Sequence, residues 1–500
     1  MAALAKGGRT NFFGFLLRLS ATAPFLFIGG RLYGPELLGR FASAMVAIQL
    51  AGQLCTLGQK RGLAQRLSED PRHPACVVAD GMLLSVMIAT VAATVLWLVP
   101  VIAFPSGHFT WIDRLMVITV FPSTLTDIGL AAMAYRYDVA ATVRARSVVE
   151  PWTASIVAAA LWPLGTYGGM PVLAECGLSI AYIISIFASA LTALVPTLRA
   201  YGRPHAWHPH PLRIGRLALA SMPLAAADAV EWGTRKLDIA ILGLFATPAA
   251  VGVYYAAQQV ASLPQKLKTS FEPILGPVIT RNLKEGNLGA IARQVCQVGF
   301  WITAAQAGIA LALAIPGNAV MGLVGPKFVG GTGALAFLLA AEVAAATAVV
   351  SEAALIYMAR IRNLAVSVGT IVLQGLLTIG GIELVEDAHL GELYRAAAAA
   401  AALLLTLSIA SLVKARMLAR LLDQSINNWR WSLVVAALAA GTIGAAIVTL
   451  TPEWVHIIPG IPLILGVWCW IIWKWGFGPD DRVLFRRNVG GEPPAAEPAA

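Results

Sequence analysis

The feature that most constrains this chain is a succession of long apolar segments separated by short polar ones. A stretch of about 20 mostly apolar residues crosses the hydrocarbon core of a bilayer as a helix. We therefore predict an all-α polytopic membrane protein with about fourteen transmembrane helices. The predicted spans lie near residues 11–30, 41–58, 76–104, 114–134, 148–165, 172–196, 217–245, 251–280, 295–315, 332–357, 365–384, 393–412, 431–450 and 457–474.

The composition supports a membrane protein and argues against a nucleic-acid-binding one. Only 12% of the 500 residues are charged and 58% are hydrophobic, whereas soluble domains average roughly 25% charged residues. The formal net charge of +10 is spread over short loops rather than gathered in one basic patch. Such a distribution is typical of membrane insertion, and we expect no nucleic-acid partner.

The Lys and Arg residues fall in alternate loops, which indicates the sidedness of the chain. Cytoplasmic loops of membrane proteins carry an excess of these residues. We expect a multi-pass protein of a bacterial inner membrane. Because the predicted number of spans is even, both termini are expected on the cytoplasmic side. The residues that define the cytoplasmic set are Lys60, Arg61, Arg66, Arg72, Arg136, Arg144, Arg146, Arg199, Arg203, Arg213, Arg216, Arg281, Lys284, Arg293, Arg360, Arg362, Lys414, Arg416, Arg420 and Arg430.

Two segments share a pattern that indicates an internal repeat. Within residues 30–44 and 243–257, Gly, Pro, Gly, an aromatic residue and Ala occur at the same offsets. Shared turn chemistry is the alternative explanation, since Pro and Gly favour a tight helix–loop–helix joint. A duplication predicts an N-terminal lobe of helices 1–6 (residues 1–200), a cytoplasmic linker (201–216) and a C-terminal lobe of helices 7–12 (217–415). Two peripheral helices (416–476) and a disordered cytoplasmic tail (477–500) would follow.

Ionisable residues cluster inside the predicted seventh span. Asp228, Glu231, Arg235 and Asp238 recur at helical spacing, with Lys236 one residue off that stripe. Charges in hydrocarbon cost several kcal/mol unless they pair or face a wet cavity. They could simply pair with one another and hold helices together, but their clustering favours a water-filled central cavity.

Further polar residues follow the same pattern in other spans. Gln259 and Lys266 lie on one face of the eighth span, with Lys268 nearby, and Gln49 and Gln53 lie on one face of the second span. Arg18 lies in the first span and Glu342 in the tenth. The excess charge of the predicted cavity is positive. Because Lys and Arg recognise phosphate, the sequence predicts an anionic, phosphate-bearing cargo. The predicted cations of the cavity are Arg18, Arg235, Lys236, Lys266 and Lys268.

Several segments resemble those of the polysaccharide-repeat-unit (Wzx-type) flippases, which share a superfamily with lipid II flippases and MATE drug exporters. These segments are residues 30–44, Leu57-Gly58, 238–243, 251–257 and 325–328. The resemblance implies two six-helix lobes around a hydrated cavity, with two peripheral helices. It also implies alternating access, in which undecaprenyl-diphosphate-linked oligosaccharide moves between leaflets while its prenyl tail stays in lipid.

The resemblance also implies roles for individual residues. The five cations named above would hold the diphosphate, and Gln49, Gln53 and Gln259 would line the cavity. Protons or sodium ions would couple to transport through carboxylates, and neither a metal site nor another cofactor is expected. A polysaccharide polymerase and export machinery are the expected protein partners. The carboxylates are Asp228, Glu231, Asp238 and Glu342.

Other functions fit the sequence less well. A MATE-type exporter has fewer spans and takes organic cations. A lipid II flippase differs only in its cargo, and the sequence leaves it as an alternative. A membrane polymerase or ligase would need a large outer loop, but the longest predicted outer loop spans only residues 316–331, with Lys327 as its one charged residue. We therefore predict a transporter and not an enzyme.

Overall fold

A computed structural model describes residues 23–204, 207–268, 279–478 and Asp481, without the side chains of Val139, Glu231 and residues 266–268. Arg18 therefore lies outside the described residues, as does most of the predicted tail. Every regular element within these residues is helical, as the apolar segments predict. The fold class, an all-α polytopic membrane protein, is confirmed.

From residue 23 onward, where the description of the chain begins, its first half contains the seven helices α1 to α7. A short helix, α1 (23–33), is π-helical over Gly29–Tyr33 and ends at Gly34, whose φ of 82° breaks the helical path. Only glycine adopts this backbone conformation without strain. The helices that follow are α2 (Gly34–Cys55), α3 (Gln59–Glu69), α4 (Pro74–Leu98), α5 (Trp111–Tyr135), α6 (139–166, with a π-helical segment Val143–Val149) and α7 (Pro171–Tyr201).

The second half repeats this arrangement of long helices and adds a terminal pair. A short helix, α11, lies between two long ones. The helices are α8 (Pro211–Phe245), α9 (Pro248–Lys268), α10 (Leu288–Ala314), α11 (Gly317–Val324), α12 (Thr332–Met358), α13 (Arg360–Asp387), α14 (Glu392–Leu422), α15 (Trp431–Leu450) and α16 (Glu453–Gly476).

Two helices cross the boundaries that we predicted between domains. Helix α8 begins at Pro211, inside the predicted linker, and α14 continues to Leu422, beyond residue 415. Proline is favoured in the first turn of a helix, and the polar residues after Pro211 extend α8 beyond its apolar part. The lobe boundaries stay predictions.

Ten helical segments in the described part of the chain are long and apolar enough to span a bilayer. Helices α8 and α9 are not among them, and they carry the polar stripes described above. The exact number of spans and the sidedness of the termini stay predictions. Below, the inner end of the bundle is the end with the basic loops, and the outer end is the opposite one.

The last two helices lie at the periphery, as predicted. Helices α15 and α16 pack against α10 in a small apolar cluster of their own. The indole of Trp468 in α16 donates a hydrogen bond to the Ala304 carbonyl at 2.9 Å, and Gly308 leaves room for that ring. The principal core instead joins α2 and α9 at the centre of the molecule.

Candidate functional site

The two copies of the repeated motif contact each other at the outer end of the bundle. A Cβ atom on Gly39 of α2 would lie 1.7 Å from the Pro248 carbonyl oxygen of α9. In return, a Cβ atom on Gly252 would lie 1.9 Å from the Pro35 carbonyl oxygen. Since Gly39 and Gly252 occupy the same position in their copies, as do Pro35 and Pro248, the contact is reciprocal. Such reciprocity is expected of two halves related by a two-fold axis and supports duplication.

Flanking contacts extend this closure of the outer end. A Cβ atom on Gly30 would lie 2.5 Å from the Val324 side chain of α11, and one on Gly243 would lie 3.3 Å from Pro105. Gly30 and Gly243 are again equivalent in the repeat, and each meets a segment of the other half. The glycines of the motif therefore bring the two halves into backbone contact.

The two halves also meet at the inner end. The Nε atom of Arg61 in α3 lies 3.0 Å from an Asp228 carboxylate oxygen in α8, and Asp228 is buried. Beside this pair, Gly58 has a φ of 65°, and a Cβ atom there would lie 2.3 Å from Leu224 Cβ. Asp228, which we predicted as a coupling carboxylate, thus joins the two halves of the molecule.

An ion network lies in the first half of the chain, toward the inner end. Lys60 Nζ lies 3.0 Å from Asp127 Oδ2. Arg146 contacts the other oxygen of Asp127, and its Nη1 atom donates to Glu150 Oε2 at 2.7 Å. We call Lys60, Asp127, Arg146 and Glu150 the ion network. Its side chains are 14–37% exposed, which is enough for contact with water or with a ligand.

None of the predicted site residues belongs to this network. The sequence predicts Arg146 in a cytoplasmic loop with Arg144, but α6 begins at residue 139 and carries Arg146 in its π-helical segment. Single π-helical turns occur often at functional sites. Two signals were available: Arg146 and Glu150 are spaced to pair at i, i+4, and Asp127 is an acid in an otherwise apolar segment.

Two of the predicted cavity residues adjoin the ion network. Gln53 Oε1 accepts a hydrogen bond from Lys60 Nζ at 3.3 Å. Gln49, one helical turn away in α2, is half-buried and lies near Tyr182 of α7. The structure therefore places Gln49 and Gln53 beside the ion network, which was not among the predicted site residues.

A second polar group lies between α8 and α9. Lys236 Nζ donates to the Gln258 amide oxygen at 2.9 Å, and the Gln258 amide nitrogen donates to Asp238 at 3.1 Å. Asp238 is fully buried and also accepts a hydrogen bond from the Tyr254 hydroxyl group. Asp238 thus fixes α8 against α9, whatever further role it has.

The remaining predicted residues are only partly placed. Arg235 is exposed, whereas Asp228 and Asp238 of the same helix are buried, so the predicted stripe is not uniformly solvated. Gln259 is half-buried and lies near Tyr255. Glu342 is half-buried in α12. The side chains of Glu231, Lys266 and Lys268 lie outside the described residues, and the roles assigned to all of these stay predictions.

Comparison with solved structures gives the wider relationship. The chain is similar to a lipid II flippase, MurJ, in an inward closed conformation, with a TM-score of 0.68 and 12% identity over 93% of this chain and 98% of that one. It is also similar to an inward-facing multidrug resistance MATE family transporter of the MOP superfamily, with a TM-score of 0.63 and 13% identity over 82% and 96% of the two chains. An outward-facing MATE structure gives a TM-score of 0.55 at the same identity, 13%, covering 82% of this chain and 94% of that one.

These structures share the fold of this chain. None of them is named as an enzyme, in agreement with our prediction. No curated protein matches the sequence. The profile of a family described as polysaccharide biosynthesis protein matches residues 30–302, which is more than half of the chain. With this match the resemblance stated above is confirmed, and the chain belongs to the polysaccharide biosynthesis protein family.

Proposed function

We propose that this protein moves undecaprenyl-diphosphate-linked oligosaccharide repeat units from the cytoplasmic to the periplasmic leaflet of a bacterial inner membrane. The observation that carries the proposal is the ion network: paired cations and carboxylates, accessible to solvent, inside a membrane fold of a polysaccharide biosynthesis family. Charged groups that pair between helices of a membrane protein commonly mark substrate or ion pathways.

The network suits a diphosphate because its cations can exchange partners. Lys60 and Arg146 are each held by a carboxylate of Asp127 or Glu150. Arriving phosphate oxygens would replace those carboxylates and make charge-assisted hydrogen bonds of the same kind. Arg18, Arg235, Lys236, Lys266 and Lys268 would add positive charge along the path.

The displaced carboxylates offer a means of coupling to an ion gradient. When Lys60 and Arg146 turn to phosphate, Asp127 and Glu150 lose their partners, and each then gains by taking up a proton or a sodium ion. We add these two carboxylates to Asp228, Glu231, Asp238 and Glu342 as candidates for coupling. Alternating access would break the Arg61–Asp228 pair at the inner end or the glycine contacts at the outer end.

The proposal is tested by depleting the protein in its host and determining which leaflet holds prenyl-diphosphate-linked oligosaccharides. Complete repeat units should accumulate facing the cytoplasm, and the polymerase and export machinery that we expect as partners should receive no substrate. An unchanged distribution between the leaflets, with greater sensitivity to cationic drugs, would instead indicate a MATE-type exporter.

A lipid II flippase is the second candidate, because the similarity to MurJ extends over 93% of this chain. The same depletion separates the two. Accumulation of lipid II on the cytoplasmic face, with normal export of oligosaccharide, would favour this candidate.

A further inference from the structure

An open cavity of about 530 Å³ lies at the inner end, between the start of α13 and the end of α14, away from the ion network. Three arginines from the two helices converge on it. Arg362 belongs to the first turn of α13, whereas Arg416 and Arg420 lie one turn apart near the end of α14. The lining consists of Arg362, Val413, Arg416, Met417, Arg420 and Leu421.

No acid lines this cavity, and within the described residues no carboxylate forms an ion pair with its three arginines. The neighbouring cation behaves differently, since Lys414 is buried and binds Glu352 at 2.9 Å. Membrane insertion explains why arginines lie at this end of the bundle. It does not explain why three arginines from two helices face one cavity that no described carboxylate lines.

The other half of the lining is apolar and continues into the lipid-facing surface. Val413, Met417 and Leu421 alternate with the arginines along α14. Toward the membrane, exposed apolar side chains follow on both helices. They are Leu364, Val368 and Val372 on α13, and Leu405, Ile409 and Leu412 on α14. A ligand with an anionic head and an apolar tail would match this surface in both chemistry and direction.

We propose that this cavity binds the phosphate head of an anionic lipid, with the lipid tail lying along the exposed faces of α13 and α14. Arginine binds phosphate bidentately, and basic pockets between helices on the cytoplasmic side are suited to anionic head groups. Two sources share this chemistry: bulk anionic phospholipid and a prenyl diphosphate. The inference does not rest on the proposed translocation, because none of its residues belongs to the ion network.

The test uses the full-length protein in detergent, with lipid binding followed by native mass spectrometry. Phosphatidylglycerol, phosphatidylcholine and undecaprenyl diphosphate are titrated in turn. The test variant combines Arg362→Gln, Arg416→Gln and Arg420→Gln. The control combines Arg199→Gln, Arg213→Gln and Arg216→Gln, which removes the same charge from exposed arginines of the inner end that do not line the cavity.

The expected result is a dissociation constant about tenfold or more higher for an anionic lipid in the test variant than in the control. The anionic lipid whose affinity falls identifies the source. Equal losses in the two variants, or an equal loss for phosphatidylcholine, would overturn the proposal. If the triple variant does not fold, Arg416→Gln alone is compared with Arg213→Gln. Equal affinities of these two variants for the anionic lipids would also overturn the proposal.

Discussion

Arg146 is the residue on which the proposed site depends most. It contacts Asp127 and Glu150 together, and it is presented by a π-helical turn of α6. Its neighbour Arg144 is 59% exposed and lies 3.9 Å from Asp138. Two arginines in one short segment therefore differ in burial and in their partners, which makes them a matched pair for mutation.

Arg146→Gln should reduce oligosaccharide export about tenfold or more while the protein stays in the membrane. A charge-assisted hydrogen bond contributes about 1.5–3 kcal/mol, and each 1.4 kcal/mol in a barrier is about tenfold in rate. Export is measured as surface polysaccharide in a depleted host complemented with each variant. Arg144→Gln should export normally; equal export by both variants would remove the ion network from the mechanism.

A second residue, Arg72, holds the inner loops together. It binds Asp70 at 2.7 Å and Asp80 at 2.7 Å, and the Trp207 indole donates to Asp80 at 2.8 Å. The hydrogen bonds from Arg72 hold the pKa of the Asp70 carboxyl below its usual value. The predicted cytoplasmic linker, residues 201–216, is therefore anchored to the first half through Trp207.

Arg72→Gln should destabilise the protein by about 1–2 kcal/mol at neutral pH, since it leaves the buried Asp80 with one partner fewer. Because the pKa of Asp70 is lowered in the folded state, its contribution is present above about pH 4 and is lost as the pH falls through the lowered folded value. Thermal unfolding between pH 3 and 7 measures both effects.

Arg281→Gln, which removes the 81%-exposed partner of Glu285, is the control for that experiment and should change stability little. A difference between Arg72→Gln and the wild type that stayed constant down to pH 3 would contradict the role given to Asp70.

At the scale of elements, α2 and α9 form the central contact of the molecule. Their outer ends approach so closely that the Cβ atom of a residue at Gly39 or Gly252 would overlap the other helix's backbone. The contact joins the two halves, so any opening of the outer end must separate these helices. Opening at the inner end must instead separate α3 from α8, where Arg61 binds Asp228.

Gly252→Ala should therefore weaken closure of the outer end, by about 1–3 kcal/mol as in other overpacked contacts. Gly369→Ala in α13 is the control, since a Cβ atom there meets nothing within 4 Å. The measurement is labelling of a cysteine introduced as Ala44→Cys by an impermeant maleimide added from the outer side, in a background without the native cysteines. Ala44 is fully buried in α2.

Faster labelling with Gly252→Ala than with Gly369→Ala is the expected outcome. Identical labelling in the two backgrounds would show that the reciprocal contact does not close the outer end.

The sequence predicted the helices and the joints between them better than the contacts between distant helices. Apolar length and the repeated Gly and Pro positions predicted the helices and the joints near Pro35 and Pro248, because these depend on local sequence. The ion network joins residues from α3, α5 and α6, and its most distant pair in contact, Lys60 and Asp127, is 67 positions apart in the sequence. Periodicity within one helix identifies a polar face but not the helix that faces it, so it could not indicate that Asp228 of the predicted stripe binds Arg61.

At the scale of the whole molecule, two halves meet at both ends and enclose charged groups between and within them. A protein built this way can expose its interior to one side at a time if the two end contacts break alternately. The proposed function therefore requires that the protein moves a lipid-linked glycan between leaflets.

The most direct test is flipping by the purified protein in proteoliposomes that contain an undecaprenyl-diphosphate-linked oligosaccharide. Exposure of the glycan to an added glycosidase reports the leaflet, with protein-free liposomes and the Arg146→Gln variant beside the wild type. The account predicts that the wild type makes nearly all of the glycan accessible, whereas the variant and the empty liposomes leave about half protected. Equal protection in all three preparations, with or without a proton or sodium gradient, would contradict it.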